Sequence, residues 1–429
     1  MERSITTARW HTRAPLRRLS KPKMNHARLS LILLGTLSAL CPRPVSAYEV
    51  SGDLKLFHMM SGAPRGLETL GGTSAGATTS RLVLKERYRG WRFESHGLLS
   101  ALQQGRSGSV FSLSPNLNQA GEALPLSDQV IDDGEASAIL RADRLLISYE
   151  GSQTRVTLGR QAISFGQGRV FTPLDRVSPF SPASVDREYK PGVDALRIDG
   201  YWGVAGEWTL IGAQRDGFAL EQSVFGAKLR DDFGGWDLAL LGLWLGGDRV
   251  AGLSVAGTLS ELSIYSDFSY TWRAQRGALA EADAARGETD PFIRAVIGGD
   301  WSWSAAGGGQ VNVEFAWLGD GAATAEAYLN SALDPRALRG ERWLLAQRYL
   351  SLSARQSLTP LVSGALSVIA NLQDPSALIG PALSWSISDE SSANLGGYLG
   401  FGEGVEGFAP RSEFGALSWL TFVMVSAYY

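Results

Sequence analysis

Hydrophobic and polar residues alternate along much of this chain. Phe268, Tyr270 and Trp272 interleave with Asp267, Ser269, Thr271 and Arg273. Val311, Val313, Phe315 and Trp317 enclose Asn312 and Glu314, and Leu350, Leu352 and Ala354 alternate with Ser351, Ser353 and Arg355. A repeat of two places one kind of side chain on each face of a β-strand. The pattern predicts eighteen strands, near 50–59, 80–88, 91–102, 139–150, 153–163, 193–201, 206–214, 221–231, 235–245, 250–257, 262–273, 292–303, 309–318, 343–355, 360–371, 377–388, 392–402 and 414–426. No run after residue 47 has the 18 or more apolar residues of a membrane helix.

The gaps between these strands sort into two kinds. Numbered from the first, the even gaps fall at 89–90, 151–152, 202–205, 232–234, 258–261, 304–308, 356–359 and 389–391. All are five residues or fewer and rich in Gly, Ser and Asp, as tight hairpins require. The long gaps, at 60–79, 103–138, 164–192, 274–291, 319–342 and 403–413, are all odd. In an up-and-down meander the odd and even gaps lie at opposite ends. Short turns at one end and long loops at the other are the asymmetry of bacterial outer-membrane barrels. An open sheet edge in lipid leaves backbone N–H and C=O groups unpaired, and closure removes that cost. The predicted fold is therefore an all-β, transmembrane antiparallel up-and-down barrel of about eighteen strands, sixteen being possible.

The start of the chain has another character. Residues 29–40, LSLILLGTLSAL, carry no charge but are too few to span a hydrocarbon core about 30 Å thick. Arg28 precedes them, and Pro42, Pro44 and Val45-Ser46-Ala47 follow. A basic segment, a short apolar segment and a small-residue end predict a secretory signal peptide over 1–47, with Met24 a possible true start and a single barrel over 48–429. Nine of the 40 Lys and Arg, and only one of the 43 Asp and Glu, lie in those 47 residues. The remainder thus has 31 bases and 42 acids, which argues against a nucleic-acid partner. The lone cysteine, Cys41, is in the leader too, so the exported part has no thiol for disulfides, zinc or nucleophilic attack. Trp91, Trp202, Trp236, Trp244, Trp272 and Trp317 fall near predicted strand ends, as membrane-interface girdles do.

One loop stands apart. Leu158–Gly168 reads LGRQAISFGQG and leads into RVFTPLDRVSPFSP over 169–182, then DREYKPG over 186–192. Four prolines and dense alternating charge suit a rigid, irregular loop. The G-R-Q strand end, the F-G-x-G turn, P-F-S-P and D-R-E-Y-K-P-G resemble the same region of porin-like outer-membrane proteins of proteobacteria. The wider resemblance is to substrate-selective porins, whose third long loop folds into the barrel and narrows it. It implies passive diffusion of small polar solutes or ions, with 164–192 as the inward constriction loop. The constriction candidates are Arg160, Arg169, Asp175, Arg176, Asp186, Arg187, Glu188 and Lys190, since rings of acids or bases across a channel select what passes. The alternative for the same charges is mutual pairing that holds the loop's shape, Asp186-Arg187-Glu188 and Lys190 first among them. Arg160 would either anchor the loop or extend a basic ladder. The aromatic end, Trp419 to Tyr429, resembles the signal read by the barrel-insertion machinery. Expected partners are outer-membrane lipid, that machinery and the solutes.

Chemistry of other kinds has little support in the residues. His58 and His96 are the histidines beyond the leader, and Ser95 and His96 point to opposite faces of one strand. H-E-x-x-H does not occur, and G-x-S-x-G occurs once, at 72–76, in a gap between predicted strands and not between a strand and a helix. Asp132-Asp133-Gly134-Glu135 would be the one calcium candidate, and a solvated acidic cluster is its plainer reading. No catalytic residue, metal site or cofactor is assigned. Two alternatives remain beside the porin: a secreted or surface-exposed all-β binding protein, built as a sandwich or solenoid, and an outer-membrane hydrolase using His96.

Overall fold

The computed structural model describes residues 47–429 except 105–121, 135, 181–184, 216, 274–289, 335–336, 338–341 and 408. The leader assigned to 1–47 lies, but for Ala47, outside the described residues. Eighteen long strands form one cylinder: β1 (Ala47–Ser61), β2 (Thr73–Tyr88), β3 (Trp91–Gln104), β4 (Ala136–Glu150), β5 (Thr154–Gln161), β6 (Val193–Trp202), β7 (Gly206–Gln214), β8 (Ser223–Phe233) and β9 (Trp236–Leu245), followed by β10 (Asp248–Leu259), β11 (Leu262–Trp272), β12 (Phe292–Trp303), β13 (Gly309–Leu318), β14 (Arg348–Ser357), β15 (Val362–Asn371), β16 (Ser376–Ser388), β17 (Ser391–Phe401) and β18 (Trp419–Tyr428). Each is antiparallel to the next. β18 returns to β1 in a register running from Asp53 opposite Tyr428 to Ser61 opposite Leu420. That pairing closes the sheet, so the sandwich and solenoid expectations fail. A cylinder has no edge strand, and every ladder group finds a neighbour. Among the described residues no helix is long and apolar enough to cross a membrane.

All eighteen strands coincide with the predicted ones, and the odd gaps carry the long loops. The differences lie at the loop end. β2 begins at Thr73, so the first loop is shorter than 60–79. β14 and β18 begin five residues later than expected, because 343–347 and 414–418 pack as loop. A short strand, Ser127–Asp132, lies along the upper edge of β4, which β5 is too short to reach.

The pleat separates two faces cleanly. On β1, Leu54 and Leu56 are exposed while Asp53 and Lys55 are buried. On β11 and β13, Phe268, Val313 and Phe315 are exposed while Asp267, Ser269 and Glu314 are fully buried. Aliphatic and aromatic groups thus cover the exterior and polar groups the interior, the inverse of a soluble globule. Trp91, Trp202 and Trp236 stand at the turn end of their strands and Trp244, Trp272 and Trp317 at the loop end. β18 departs from this rule: its inward Leu420 and Phe422 are buried and apolar, packed with Met59 around Val185 of the loop after β5. That contact is why its alternation is blurred in the sequence.

Candidate functional site

The loop after β5, residues 162–192, carries seven of the eight candidate residues. Its first arm is fastened by backbone. Gln167 and Gly168 donate their N–H groups to Asp267 Oδ2 at 2.8 and 2.9 Å. Arg169 N donates to Glu314 Oε1 at 2.5 Å, and Val170 N and Phe171 N to Oε2 at 3.0 and 2.9 Å. Five consecutive amides therefore converge on two carboxylates, a nest for anionic oxygen. Ser254 Oγ and Tyr265 OH donate to the same two carboxylates, each at 2.6 Å. The F-G-Q-G sequence is what permits this approach. Gly166 has φ +92°, and a Cβ there would meet Asp267 Oδ2 at 2.5 Å; one at Gly168 would meet the Phe171 carbonyl oxygen at 1.9 Å.

The second arm is fastened by side chains. Lys55 Nζ on β1 lies 2.8 Å from Asp186 Oδ2 and 2.6 Å from Glu188 Oε2. Tyr428 OH on β18 donates to Glu188 Oε2 at 3.2 Å. The Tyr189 ring sits 4.1 Å from the Arg81 guanidinium on β2 and edge-on to His96 at 5.8 Å. Asp186 and Glu188 are thus given to Lys55, while Lys190 is paired within the loop. Its Nζ lies 2.6 and 2.5 Å from the two Asp175 oxygens and donates to Ser164 Oγ at 3.1 Å. Burial pushes the Asp175 carboxyl up and the Lys190 ammonium down, each opposed by the other's charge. This brace ties the two arms together.

The remaining candidates divide. Arg176 is buried, 5.8 Å from the Phe292 ring. With Arg294 and Arg342 it faces Asp320; burial raises that carboxyl, and the guanidiniums outweigh burial and hold it well below the usual range. Arg160 is on the same face as exposed Leu158, not the lumenal face. It forks to Asp194 with two 2.9 Å bonds and donates to the Leu124 carbonyl at 2.7 Å, so it anchors the return of the second loop and joins no interior ladder. Arg169 keeps 60% of its side chain exposed, with Asp300 at 3.3 Å. Arg187 is exposed, its guanidinium 5.9 Å from the Phe180 ring.

The loop leaves space on both sides. A cavity of about 290 Å³ lies between Val185 and small or hydroxyl-bearing wall residues, among them Asn312, Ser353, Ser367 and Tyr398, with Arg355 at its margin. One of about 170 Å³ lies beyond the first arm, beside Ser164, Gln167, Lys228 and Arg230. Lys55, Asp267 and Glu314 went unassigned in the sequence; alternation marks Asp267 and Glu314 as wet-face residues but does not say what they hold. His96 is occupied by Glu94, 2.8 Å from its Nε2, and by Arg81 at 3.3 Å, while Ser95 points to the other face. Asp133 accepts from Ala136 N at 2.7 Å as a turn cap; Glu135 lies outside the described residues.

The class defined so far is a closed eighteen-stranded antiparallel barrel whose third long loop is bonded to its polar face. No protein-family model and no curated protein sequence matches the chain. Solved structures do match it in fold. OccAB1 of Acinetobacter baumannii gives a TM-score of 0.55 at 9% identity, over 89% of this chain and 96% of its own. OccK9 (OpdG) of Pseudomonas aeruginosa gives 0.55 at 11% identity, over 89% and 98%. A BenF-like porin from Pseudomonas fluorescens Pf-5 gives 0.52 at 11% identity, again over 89% and 98%.

Proposed function

We propose that this chain is a passive outer-membrane porin for small polar solutes or ions, with the 162–192 loop laid across the lumen as its constriction. The carrying observation is that one loop is bonded to β11 and β13 through one arm and to β1, β2 and β18 through the other. In a ring of eighteen strands, β1 and β11 are ten apart, on opposite walls. A chain segment tied to both walls spans the space between them. The apolar exterior fits lipid and the polar interior fits water. The similarity to a BenF-like porin supports the same reading. Under it, residues 1–47 are a cleaved leader, and the strand ending at Tyr429 is the one read by the insertion machinery. Solutes pass through the gap between the loop and the small-residue wall of β14–β17. Arg169 and Arg187 are the loop charges that face this water, whereas Asp175, Arg176, Asp186 and Lys190 hold the loop's shape. No step of catalysis is assigned.

Excision of 169–190 with a short Gly-Ser bridge tests this in planar bilayers. Single-channel conductance should rise severalfold, since a water-filled barrel of this strand number is an open channel without its obstruction. Unchanged conductance in a correctly folded barrel would place the loop off the conduction path.

A further inference from the structure

The outward strand register carries few charges, and they are ordered along the cylinder axis. At the turn end they include Glu86 on β2 and Asp231 on β8, the latter accepting from Trp202 Nε1 at 3.1 Å. At the loop end they include Arg249 on β10 and Arg348 on β14. Arg249 is exposed between buried Asp248 and Val250, and Arg348 is exposed beside fully buried Tyr349, so both side chains face away from the lumen. Each has tryptophan next to it across the sheet. Arg249 lies opposite Trp244 on one side and Trp272 on the other. Arg348 lies opposite Trp317, its guanidinium 5.1 Å from that ring.

Other buried or rim arginines have carboxylates: Arg81 has Asp143, Arg160 has Asp194 and Arg294 has Asp320. Among the described residues neither Arg249 nor Arg348 has one. A guanidinium stays charged at every relevant pH and forks naturally onto phosphate. Tryptophan settles at the level of lipid headgroups. A permanent, exposed cation beside tryptophan on the oily face at the loop end is complementary to an anionic headgroup in that leaflet.

We propose that Arg249 and Arg348 bind the phosphate groups of anionic lipids in the leaflet on the long-loop side. This rests on the membrane-barrel reading above. The two arginines are four strands apart, roughly 19 Å at about 4.8 Å per strand, so they hold two separate headgroups. The Trp317 ring orients the fork of Arg348, and the interaction weakens with salt because it is made at the surface.

The test is native mass spectrometry of the full barrel extracted mildly from phosphatidylcholine vesicles containing a minor share of phosphatidylglycerol. The wild type should retain up to two phosphatidylglycerol molecules. R249Q and R348Q should each lose one, with about fivefold weaker retention per arginine. The double variant should lose both, while R249K/R348K, which keeps the charge, should hold an intermediate amount. Heat-modifiable gel mobility checks that each variant is folded. Equal retention by wild type and double glutamine variant, or none by the wild type, would overturn the proposal. Conductance in pure phosphatidylcholine reads the pore separately. A conducting barrel that retains no anionic lipid sinks this inference alone, and a non-conducting one sinks the porin reading. The double variant should conduct like the wild type, because both side chains point away from the channel.

Discussion

Residues 167–171 and residues 186–190 belong to one loop but are fixed by opposite chemistry. In the first arm the loop supplies only backbone N–H groups, and the wall supplies the charge through Asp267 and Glu314. In the second arm the loop supplies the charge through Asp186 and Glu188, and the wall answers with Lys55. The hydrogen bonds of the first arrangement do not depend on the side chains at 169–171, although Phe171 is buried against Tyr349. It demands glycine at 166 and 168 instead. The second depends on side-chain identity and is more open to water, since Glu188 is 39% exposed. The first arm is therefore a permanent peg, and the second is the arm whose position substitution or salt can shift.

Glu314→Ala breaks the peg and should have the largest effect. It strands three backbone donors and the Tyr265 hydroxyl in a dry site. Unmade buried hydrogen bonds and broken charged networks cost about 3–5 kcal/mol together. Urea unfolding of the micelle-solubilised barrel should show that loss, and single-channel records should show wider, noisier conductance. A barrel of unaltered stability would mean that the amides of 169–171 need no carboxylate.

Lys55→Met releases the second arm and should cost less, about 1–2 kcal/mol, because Glu188 regains water while Asp186 keeps a hydrogen bond from Glu188 N. Its clearer signature is selectivity. Two carboxylates lose their cation, so the reversal potential in a salt gradient should move toward cations. No shift would show that these acids lie away from the permeating ions.

How much of this was legible beforehand follows from the range of each signal. A two-residue repeat is local, so all eighteen strands could be placed from it, and the faces of those whose alternation is clean. Gap length is local as well, and it separated the two ends of the cylinder. Pairing partners are not local. Asp186 lies 131 residues from Lys55, and Glu314 143 to 145 residues from the amides it holds. Nothing in the DREYKPG run distinguishes a salt bridge to Arg187 from one to β1. Arg160 shows the other limit. Its position near a strand end was plain, but which face it took depended on the register of β5 against β6, which sets it opposite Asp194.

A third intervention acts on the first arm through pH. Phe171 packs on Tyr349 with ring centres 5.8 Å apart, and Tyr349 OH donates to Glu413 Oε2 at 2.5 Å. Glu413, on the 402–418 loop, is half-buried beside Asp374, and it also accepts hydrogen bonds from Leu345 N and Asn371 Nδ2. Burial first, then the Asp374 charge, pushes its carboxyl up to about 7, against hydrogen bonds that favour ionisation. The folded state therefore holds a proton that the unfolded chain releases near pH 4.3. Its contribution to stability is full below that pH, declines as pH rises toward 7 and is flat above. Amides of 409–417 should exchange faster at pH 8 than at pH 5 after correction for intrinsic rates, whereas 186–190 should not follow. Glu413→Gln should flatten the profile; an unchanged profile in that variant would assign the effect to another group.

The smallest structural effect is expected at Arg187, and that is its value. Neighbours on both sides are committed to Lys55, but Arg187 itself is exposed, next to Phe180. Its side chain is exposed on one side and rests against the Phe180 ring on the other, so Arg187→Gln should change stability by about 1 kcal/mol or less. In a narrow aqueous passage the same charge acts on every ion that goes by. Removing it should therefore shift the reversal potential toward cations by less than Lys55→Met does, without added channel noise, because the arm stays docked. If Lys55→Met and Arg187→Gln produced the same shift and the same noise, the distinction between an arm that is held and a charge that is merely carried by it would collapse. The second arm would then be mobile in the wild type as well.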